Sequence, residues 1–366
     1  MLKGNFDIPL DFLTAGTPPL IGVDISVSAI KMVELSELPK HGGFMIERYI
    51  IEPLPKDAVI DGNINNLEAV TESLIRAAKR MGSRIKNISL ALPAATVITK
   101  RILLPNNLRE EDLEYQVEAE ANQYIPFAMD EVNLDFQVIG PAPGNTDDIE
   151  VLLAASRKAN VEDRVAAAQA AGLKTIVVDV EPYAAESALT RICDQLPGGA
   201  IDQCIALVDI GSVIMNVNVL RNGQSIYSRD QQIGGDQLTL LIQQAFGLTV
   251  EEAEAGKRNG GLPDAYENDV LTPFRENVAS EVARAIQFFF TATPHNEVHY
   301  IILSGGCASL PGLDDSVATR TQVNTLVANP FSQMTLSSRI KPRQLQADAP
   351  ALMIACGLAM RRFDPS

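Results

Sequence analysis

Two widely separated stretches share one pattern, and it constrains the fold more than any other feature. Leu20-Ile21-Gly22-Val23-Asp24-Ile25-Ser26 is followed by Ala29 to Ser36, and Ala206-Leu207-Val208-Asp209-Ile210-Gly211-Ser212 by Ile214 to Leu220. Each reads as an apolar strand ending in Asp, a tight turn of small residues, and a second strand. Asn222-Gly223, a strong hairpin signal, carries the second copy into Gln224 to Arg229, and His41-Gly42-Gly43 carries the first into Phe44 to Ile51. A repeated meander predicts an internal duplication, with two similar lobes and a cleft between them.

Periodicity fills in the rest. Helices are predicted over Leu67–Met81 with Gly82 as the stop, Glu110–Tyr124, Val161–Ala171 closed by Gly172, Glu181 to about Ile192, Leu238–Phe246, Val250–Asn259, Leu271–Phe290 and Pro350–Arg361. Strands are predicted over Ile88–Leu92, Val97–Leu104, Val132–Ile139, Val151–Ala155, Thr175–Val180 and Ile301–Leu303, with a turn over Pro141–Asn145. The alternation is that of an α/β protein. The expected grouping is a first lobe core of 18–93 and 176–205, a small α+β insertion at 94–175, a second lobe core of 206–246 and 299–366, and a helical subdomain at 247–298. Residues 1–17 are expected to be poorly ordered alone.

Composition excludes several classes. Lys and Arg total 30 against 46 Asp and Glu, a net charge of −16, which argues against nucleic-acid binding and against direct docking on anionic lipid. No apolar run approaches the ~20 residues of a membrane span, and residues 1–17 do not read as a signal peptide. The four cysteines are scattered without a CxxC, as in a reduced cytoplasmic protein. His295 and His299 read as loop residues rather than metal ligands.

Three turns after apolar strands carry the chemistry: Asp24-Ile25-Ser26, Asp209-Ile210-Gly211-Ser212 and Ser304-Gly305-Gly306. Small residues let backbone N–H groups approach a phosphate, and an Asp at a strand end can hold Mg²⁺ through water. Any one of these turns alone is an ordinary hairpin; their order and spacing carry the signal.

That order resembles the actin-like ATPase superfamily of actin, Hsp70, sugar kinases, MreB and FtsA. A narrower resemblance is to the PilM family of type IV pilus assembly. It rests on Gly22-Val23-Asp24-Ile25-Ser26 with Lys31 and Glu34-Leu35, Leu92-Pro93 before Lys100-Arg101-Ile102, and Glu118-Ala119-Glu120 before Tyr124-Ile125-Pro126-Phe127. Leu303-Ser304-Gly305-Gly306 and the closing Asp348-Ala349-Pro350 to Leu358 complete it. It covers about Ile21 to Phe363. The resemblance implies an actin-like fold of duplicated ribonuclease-H-like lobes with an FtsA-type small α+β insertion in the first lobe, binding ATP or ADP with Mg²⁺.

By the same resemblance, Asp24 and Ser26 belong to one phosphate loop and Asp209, Gly211 and Ser212 to the other, with Asp24 and Asp209 on the Mg²⁺ side. Glu181, before Pro182, takes the position that orients water or Mg²⁺. Gly305 and Gly306 pack on adenine and ribose. Gly234 and Gly235 open a helix whose exposed N–H groups favour anions. Glu252 or Glu254, followed by Lys257, resembles a Glu…Lys pair that contacts sugar and base. Ser26 replaces a usual Gly, and Met215 replaces a common Thr, so binding is implied more firmly than fast hydrolysis.

The family resemblance also implies a partner. It is the N-terminal cytoplasmic tail of PilN, an inner-membrane protein, bound in a groove for which Leu104, Tyr124, Ile125 and Pro126 are candidates. Pilus motor ATPases and self-association are further expected contacts. The chain is expected to be cytoplasmic and peripheral to the inner membrane through its partner, since Arg361 to Ser366 is too short for an anchoring helix. A filament-forming protein and a small-molecule kinase of the same superfamily are the alternatives.

Overall fold

The computed structural model describes residues 18–38, 43–142 and 144–364. The expectations for residues 1–17, for His41-Gly42 and for Pro143 within its turn lie outside them. Two compact units are formed, one from residues up to Glu37, Glu47–Ala184 and Ile354 onward, the other from Leu38–Ile46 and Ala185–Met353.

The first meander is β1 (Ile21–Ile25), β2 (Ala29–Glu37) and β3 (Phe44–Pro53). A two-strand hairpin, β4 (Val59–Ile60) and β5 (Asn63–Ile64), leads into α1 (Leu67–Met81) and β6 (Asn87–Leu92). Asn66 caps α1 by accepting from the Ala69 N–H, and Gly82 ends it in the left-handed region at φ 62°. The α1 stripe Val70, Leu74, Ala77 and Met81 is buried against β1 and β6 residues such as Val23 and Leu90.

An inserted layer follows: β7 (Val97–Pro105), α2 (Glu110–Tyr124), β8 (Val132–Ala142) and β9 (Asn145–Arg157). Its antiparallel sheet runs β7-β9-β8 and has a core of its own, with Ile102, Val151 and Leu153 facing Val117 and Ala121 of α2. Then come α3 (Lys158–Ala170), β10 (Lys174–Val180) and α4 (Glu181–Cys193). Helix α3 was grouped with the insertion by sequence. It instead puts Ala167 and Ala168 into the core shared with α1, because those alanines allow close helix packing.

The second meander is β11 (Cys204–Ile210), β12 (Met215–Arg221) and β13 (Gln224–Gln231). It is followed by α5 (Gly235–Phe246), α6 (Val250–Asn259), α7 (Thr272–Ala292), β14 (Tyr300–Ser304), α8 (Leu313–Thr321), β15 (Asn324–Val327), β16 (Thr335–Leu336), α9 (Pro342–Asp348) and α10 (Met353–Met360). The elements α8, β15, β16 and α9 were not read from the sequence. The compact units also divide the chain differently from the expected grouping. Residues from Ala185 fall in the second unit, and those from Ile354 in the first.

The duplication is visible in topology. Strands run β3-β2-β1-β6-β10 in one unit and β13-β12-β11-β14-β15 in the other. In each, an antiparallel meander is extended by two parallel strands. Strands β6 and β14, each with parallel neighbours on both sides, are buried almost throughout, which is why Ile88–Leu92 and Ile301–Leu303 read as buried strands.

Glycine permits one close crossing in the first unit. A Cβ on Gly22 of β1 would lie 2.1 Å from the Ala355 carbonyl oxygen of α10, and one on Gly357 would lie 1.7 Å from that of Ala184. Only glycine allows α10 to lie with its backbone against both β1 and the start of α4.

Candidate functional site

In the second unit, β11 delivers Asp209 opposite Ser304 of its parallel neighbour β14. The Ser304 hydroxyl donates to Asp209 Oδ1 at 2.9 Å. Beyond β11 the chain turns tightly, and the Gly211 N–H donates to the Ile214 carbonyl at 3.0 Å. The carbonyls of Gly211 and Ser212 accept from the N–H groups of Gly235 and Asp236, at 3.0 and 2.8 Å. The first turn of α5 is thereby stitched to the Asp209 turn.

Two glycines make this approach possible. A Cβ on Gly234 would sit 2.5 Å from the Ser212 carbonyl carbon and oxygen. Gly305 has φ +87°, and a Cβ there would sit 2.4 Å from the Ile210 carbonyl oxygen. Three backbone segments therefore meet closely, with the buried Cys307 Sγ 3.5 Å from the Gly211 carbonyl oxygen. Gly306 is exposed and has nothing within 4 Å of its would-be Cβ, so this side of the cradle is open.

The structure corrects two expectations here. The Gly235 N–H, expected to be open to an anion, is committed to the Asp209 turn, as is that of Asp236. Lys257, expected at sugar and base, donates to the Gly235 carbonyl at 3.0 Å, Thr239 Oγ1 at 2.6 Å and Glu254 Oε1 at 2.6 Å. An ammonium has three protons, and all three are used within the fold. Lys257 is a strut from α6 to the first turn of α5.

Burial pushes the Glu254 carboxyl up, but hydrogen bonds from Lys257 and Thr239 and the charges of Lys257 and Arg258 outweigh it and leave the group below its ordinary value. Met215 is fully buried on β12.

In the first unit, Asp24 and Lys31 are cross-strand partners of β1 and β2, and Lys31 Nζ lies 2.9 Å from Asp24 Oδ2. Asp24 is 1% exposed. Its Oδ1 has no hydrogen-bond partner among the described residues. Ser26 closes its own turn: its N–H and hydroxyl both donate to the Ala29 carbonyl, at 3.0 and 2.8 Å. Both Ser26 groups are therefore spent within the turn itself. Glu181 is half-buried in the first turn of α4.

One residue here escaped the sequence reading. Arg164 of α3 is 1% exposed and donates to the carbonyls of Gly62 at 2.6 Å and Asn160 at 3.4 Å. Its signal was present, since Arg164 falls on the α3 stripe with Val161 and Ala168, where an apolar residue belongs.

In the inserted layer the four groove candidates separate. Leu104 and Ile125 are buried in that layer's own core. This corrects their reading as surface positions: the strand alternation of β7 and the end of α2 turn both inward. Tyr124, with Lys100 Nζ 5.0 Å from its ring centroid, and Pro126 remain at the surface. Leu103, missed by the sequence reading, is 58% exposed, because the alternation that buries Leu104 turns its neighbour outward.

The family model for type IV pilus assembly protein PilM matches residues 22–363. The chain is similar to cell division protein FtsA of Bacillus subtilis (strain 168), with 20% identity over 372 residues, 90% of this chain and 80% of that one. Among solved structures it is similar to a chain of the PilM-PilN type IV pilus biogenesis complex. The TM-score is 0.79 at 26% identity, covering 95% of this chain and 100% of that one. Ethanolamine utilization protein EutJ of Carboxydothermus hydrogenoformans matches in fold alone, with a TM-score of 0.57 at 16% identity, over 94% of this chain and 90% of that one. The fold is the α/β, actin-like one that the family resemblance implied.

Proposed function

The chain belongs to the PilM family of type IV pilus assembly proteins, and from that premise we propose that it is an ATP-binding scaffold. It takes up the N-terminal cytoplasmic tail of a PilN-type membrane protein and links it to cytoplasmic components of pilus assembly.

The observation that carries the nucleotide reading is the glycine-held cradle of Asp209, Gly211, Ser212, Gly234, Gly235, Gly305 and Gly306. Backbone brought this close, with open space beside Gly306, suits a phosphate-bearing ligand that needs near contact. Gly234 and Gly235 act by holding the turn, and Lys257 and Glu254 by bracing α5. Gly306 marks the open edge for ribose and base.

Mg²⁺ fits the carboxylates present. Asp24 offers a buried oxygen without a partner. Among the described residues no group of three or more His, Cys, Asp or Glu gathers as a cation cage. Mg²⁺ keeps several waters and needs few carboxylates, so Asp24 and Asp209, each within its own unit, are the proposed carboxylates of the kind it takes through water. When bound, the ion neutralises phosphate charge. Glu181 is the residue proposed to orient a water, with at most slow hydrolysis.

The likeness to a chain of the PilM-PilN complex supports a PilN-type protein as the partner, and its N-terminal tail is the segment proposed to bind. Tyr124 and Pro126 at the end of α2 are the proposed contacts that remain at the surface. No helix among the described residues is long and apolar enough to cross a membrane. The proposed route to the inner membrane is through that partner. Nucleotide tunes tail affinity only if the tail binds the loaded and empty states differently.

The test is the thermal midpoint with and without MgATP, alongside Asp209→Ala, and the affinity of a labelled tail peptide by fluorescence anisotropy. Ligand at 100 times its Kd stabilises by roughly 2.7 kcal/mol. A midpoint shift lost in Asp209→Ala supports the reading, and no shift in folded, nucleotide-free protein overturns it.

A further inference from the structure

The net charge of −16 is spread unevenly. Between Ser73 and Arg109 the sequence holds eight Lys or Arg residues and no Asp or Glu, in a chain with 46 acids. The fold gathers five of these cations at one end of the first unit. Arg76, Lys79 and Arg80 lie on the last turns of α1, and Arg84 and Lys86 in the connection from Gly82 to β6. Lys174, the first residue of β10, joins them. It lies beside Asn87 of β6, and its N–H donates to the Lys86 carbonyl at 2.8 Å. All six are exposed.

Glu52 holds Arg76 at 2.9 Å and Arg80 at 2.5 Å. Among the described residues no carboxylate pairs with Lys79, Arg84, Lys86 or Lys174. Lys79 suits the negative end of the α1 dipole, but the other three lie beyond the helix. Cations gathered without counter-charge repel one another, so folding alone does not account for them.

Residues 1–17 connect to β1 at this same end. The Pro19 carbonyl accepts from Asn87 Nδ2 at 3.3 Å, and Ile21 pairs with Ile88. Those residues include Leu2, Phe6, Ile8, Leu10, Phe12 and Leu13. A basic face beside an apolar stretch is the pair of signals that holds a protein on a bilayer: phosphate headgroups take the charge and the interface takes the apolar side chains. An acidic protein would satisfy the cations and leave the apolar stretch unexplained. The acids elsewhere on the chain are screened beyond about 8–10 Å at ordinary salt, whereas these cations would touch the surface. Asp24 lies toward the opposite end of β1, so this face is separate from the site described above.

We propose that this end of the first unit is a membrane-contact face: Lys79, Arg84, Lys86 and Lys174 dock on the anionic headgroups of a bilayer, and the apolar side chains of residues 1–17 enter its interface. The contact needs neither nucleotide nor a partner's tail. It adds a direct hold on the membrane to the one proposed through the partner.

The test is flotation of the full, untagged chain with lipid vesicles, without nucleotide or partner, in about 0.1 M salt. Vesicles of phosphatidylcholine alone are compared with vesicles that also carry phosphatidylglycerol. The chain is expected on the anionic vesicles and not on the neutral ones. Lys86→Glu with Lys174→Glu should lower the partition coefficient by roughly 30-fold, as expected for two cations at an anionic surface. Lys56→Glu with Lys158→Glu changes the net charge equally. Lys56 follows Leu54, whose N–H donates to the Ser28 carbonyl beyond the far end of β1, and Lys158 begins α3, away from Lys174. This second pair should leave the partition within about two-fold. Phe6→Ser with Phe12→Ser should lower it by about ten-fold. Thermal midpoints matched to wild type show that each variant is folded. Should the reversals not fold, Lys86→Gln with Lys174→Gln replaces them, with the same direction expected.

Equal loss in the two reversal pairs means that net charge alone matters, and the proposal falls. It falls too if the chain stays off anionic vesicles or floats equally with neutral ones. Full partition retained in Phe6→Ser with Phe12→Ser also overturns it, because cations alone would then suffice and an acidic protein would fit the face as well.

Discussion

Lys31 reaches across β2 to β1 and places its ammonium 2.9 Å from Asp24 Oδ2, while Asp24 Oδ1 has no hydrogen-bond partner among the described residues. Both groups are largely shielded, with side chains 14% and 1% exposed. Removing one member of such a pair leaves an uncompensated charge, a loss of about 3–5 kcal/mol. Lys31→Met is therefore expected to lose about that much stability in urea unfolding. Lys31→Met with Asp24→Asn is expected to be milder than Lys31→Met alone. Asp24→Asn is also expected to abolish any stabilisation by Mg²⁺ that wild type shows.

The glycines of the second unit give a graded prediction. Gly305→Ala puts a methyl 2.4 Å from the Ile210 carbonyl oxygen at φ +87°, and Gly234→Ala puts one 2.5 Å from Ser212 backbone. A strained backbone position alone costs about 1–3 kcal/mol, and the clash adds to it. Gly306→Ala meets nothing within 4 Å and should unfold within about 0.5 kcal/mol of wild type. Gly306→Ala should still weaken nucleotide binding, since it narrows the open side. Equal stability of all three variants would refute the close-approach argument.

These elements show what was legible in the sequence. Both meanders could be read because strand alternation, terminal Asp and small-residue turns are local signals. Helix α1 could be read to its ends because Asn66 and Gly82 are local caps. The role of Lys257 could not, since its three acceptors lie partly on another helix, and no spacing shows that its protons are already taken. Arg164 left a trace as a charge on an apolar stripe, but its partners at Gly62 and Asn160 depend on tertiary packing. Helix α8 and strands β15 and β16 are short, and their apolar periodicity is too weak to stand out.

Acid should loosen the brace between α6 and α5. The folded-state value of Glu254 is lowered, so its ionised form contributes stability that is fully present above the ordinary carboxylate value of 4.5. That contribution disappears as pH falls through the lowered folded value. Glu254→Gln removes the charge at every pH and replaces charge-assisted bonds with weaker ones, a loss of roughly 1–2 kcal/mol at neutral pH. Midpoints measured from pH 7 downward should therefore converge for the two proteins as the medium becomes acidic. A constant gap down to the acid limb would remove Glu254 from the account.

In the inserted layer, Leu104 and Tyr124 should separate stability from recognition. Leu104 is 2% exposed among Ile102, Val117 and Val151, whereas Tyr124 is 43% exposed. Leu104→Ala leaves a cavity in a small core and should cost about 2–5 kcal/mol. Tyr124→Ala removes little packing and should leave the midpoint nearly unchanged. If the tail of a PilN-type partner lies against the end of α2, Tyr124→Ala and Pro126→Ala should each raise the Kd of the labelled peptide several-fold. The outward-facing Leu103, 58% exposed beside the buried Leu104, supplies a control on the other face of β7. Leu103→Ala leaving peptide affinity unchanged while Tyr124→Ala reduces it places the tail at α2. The reverse pattern moves it to the outer face of that strand.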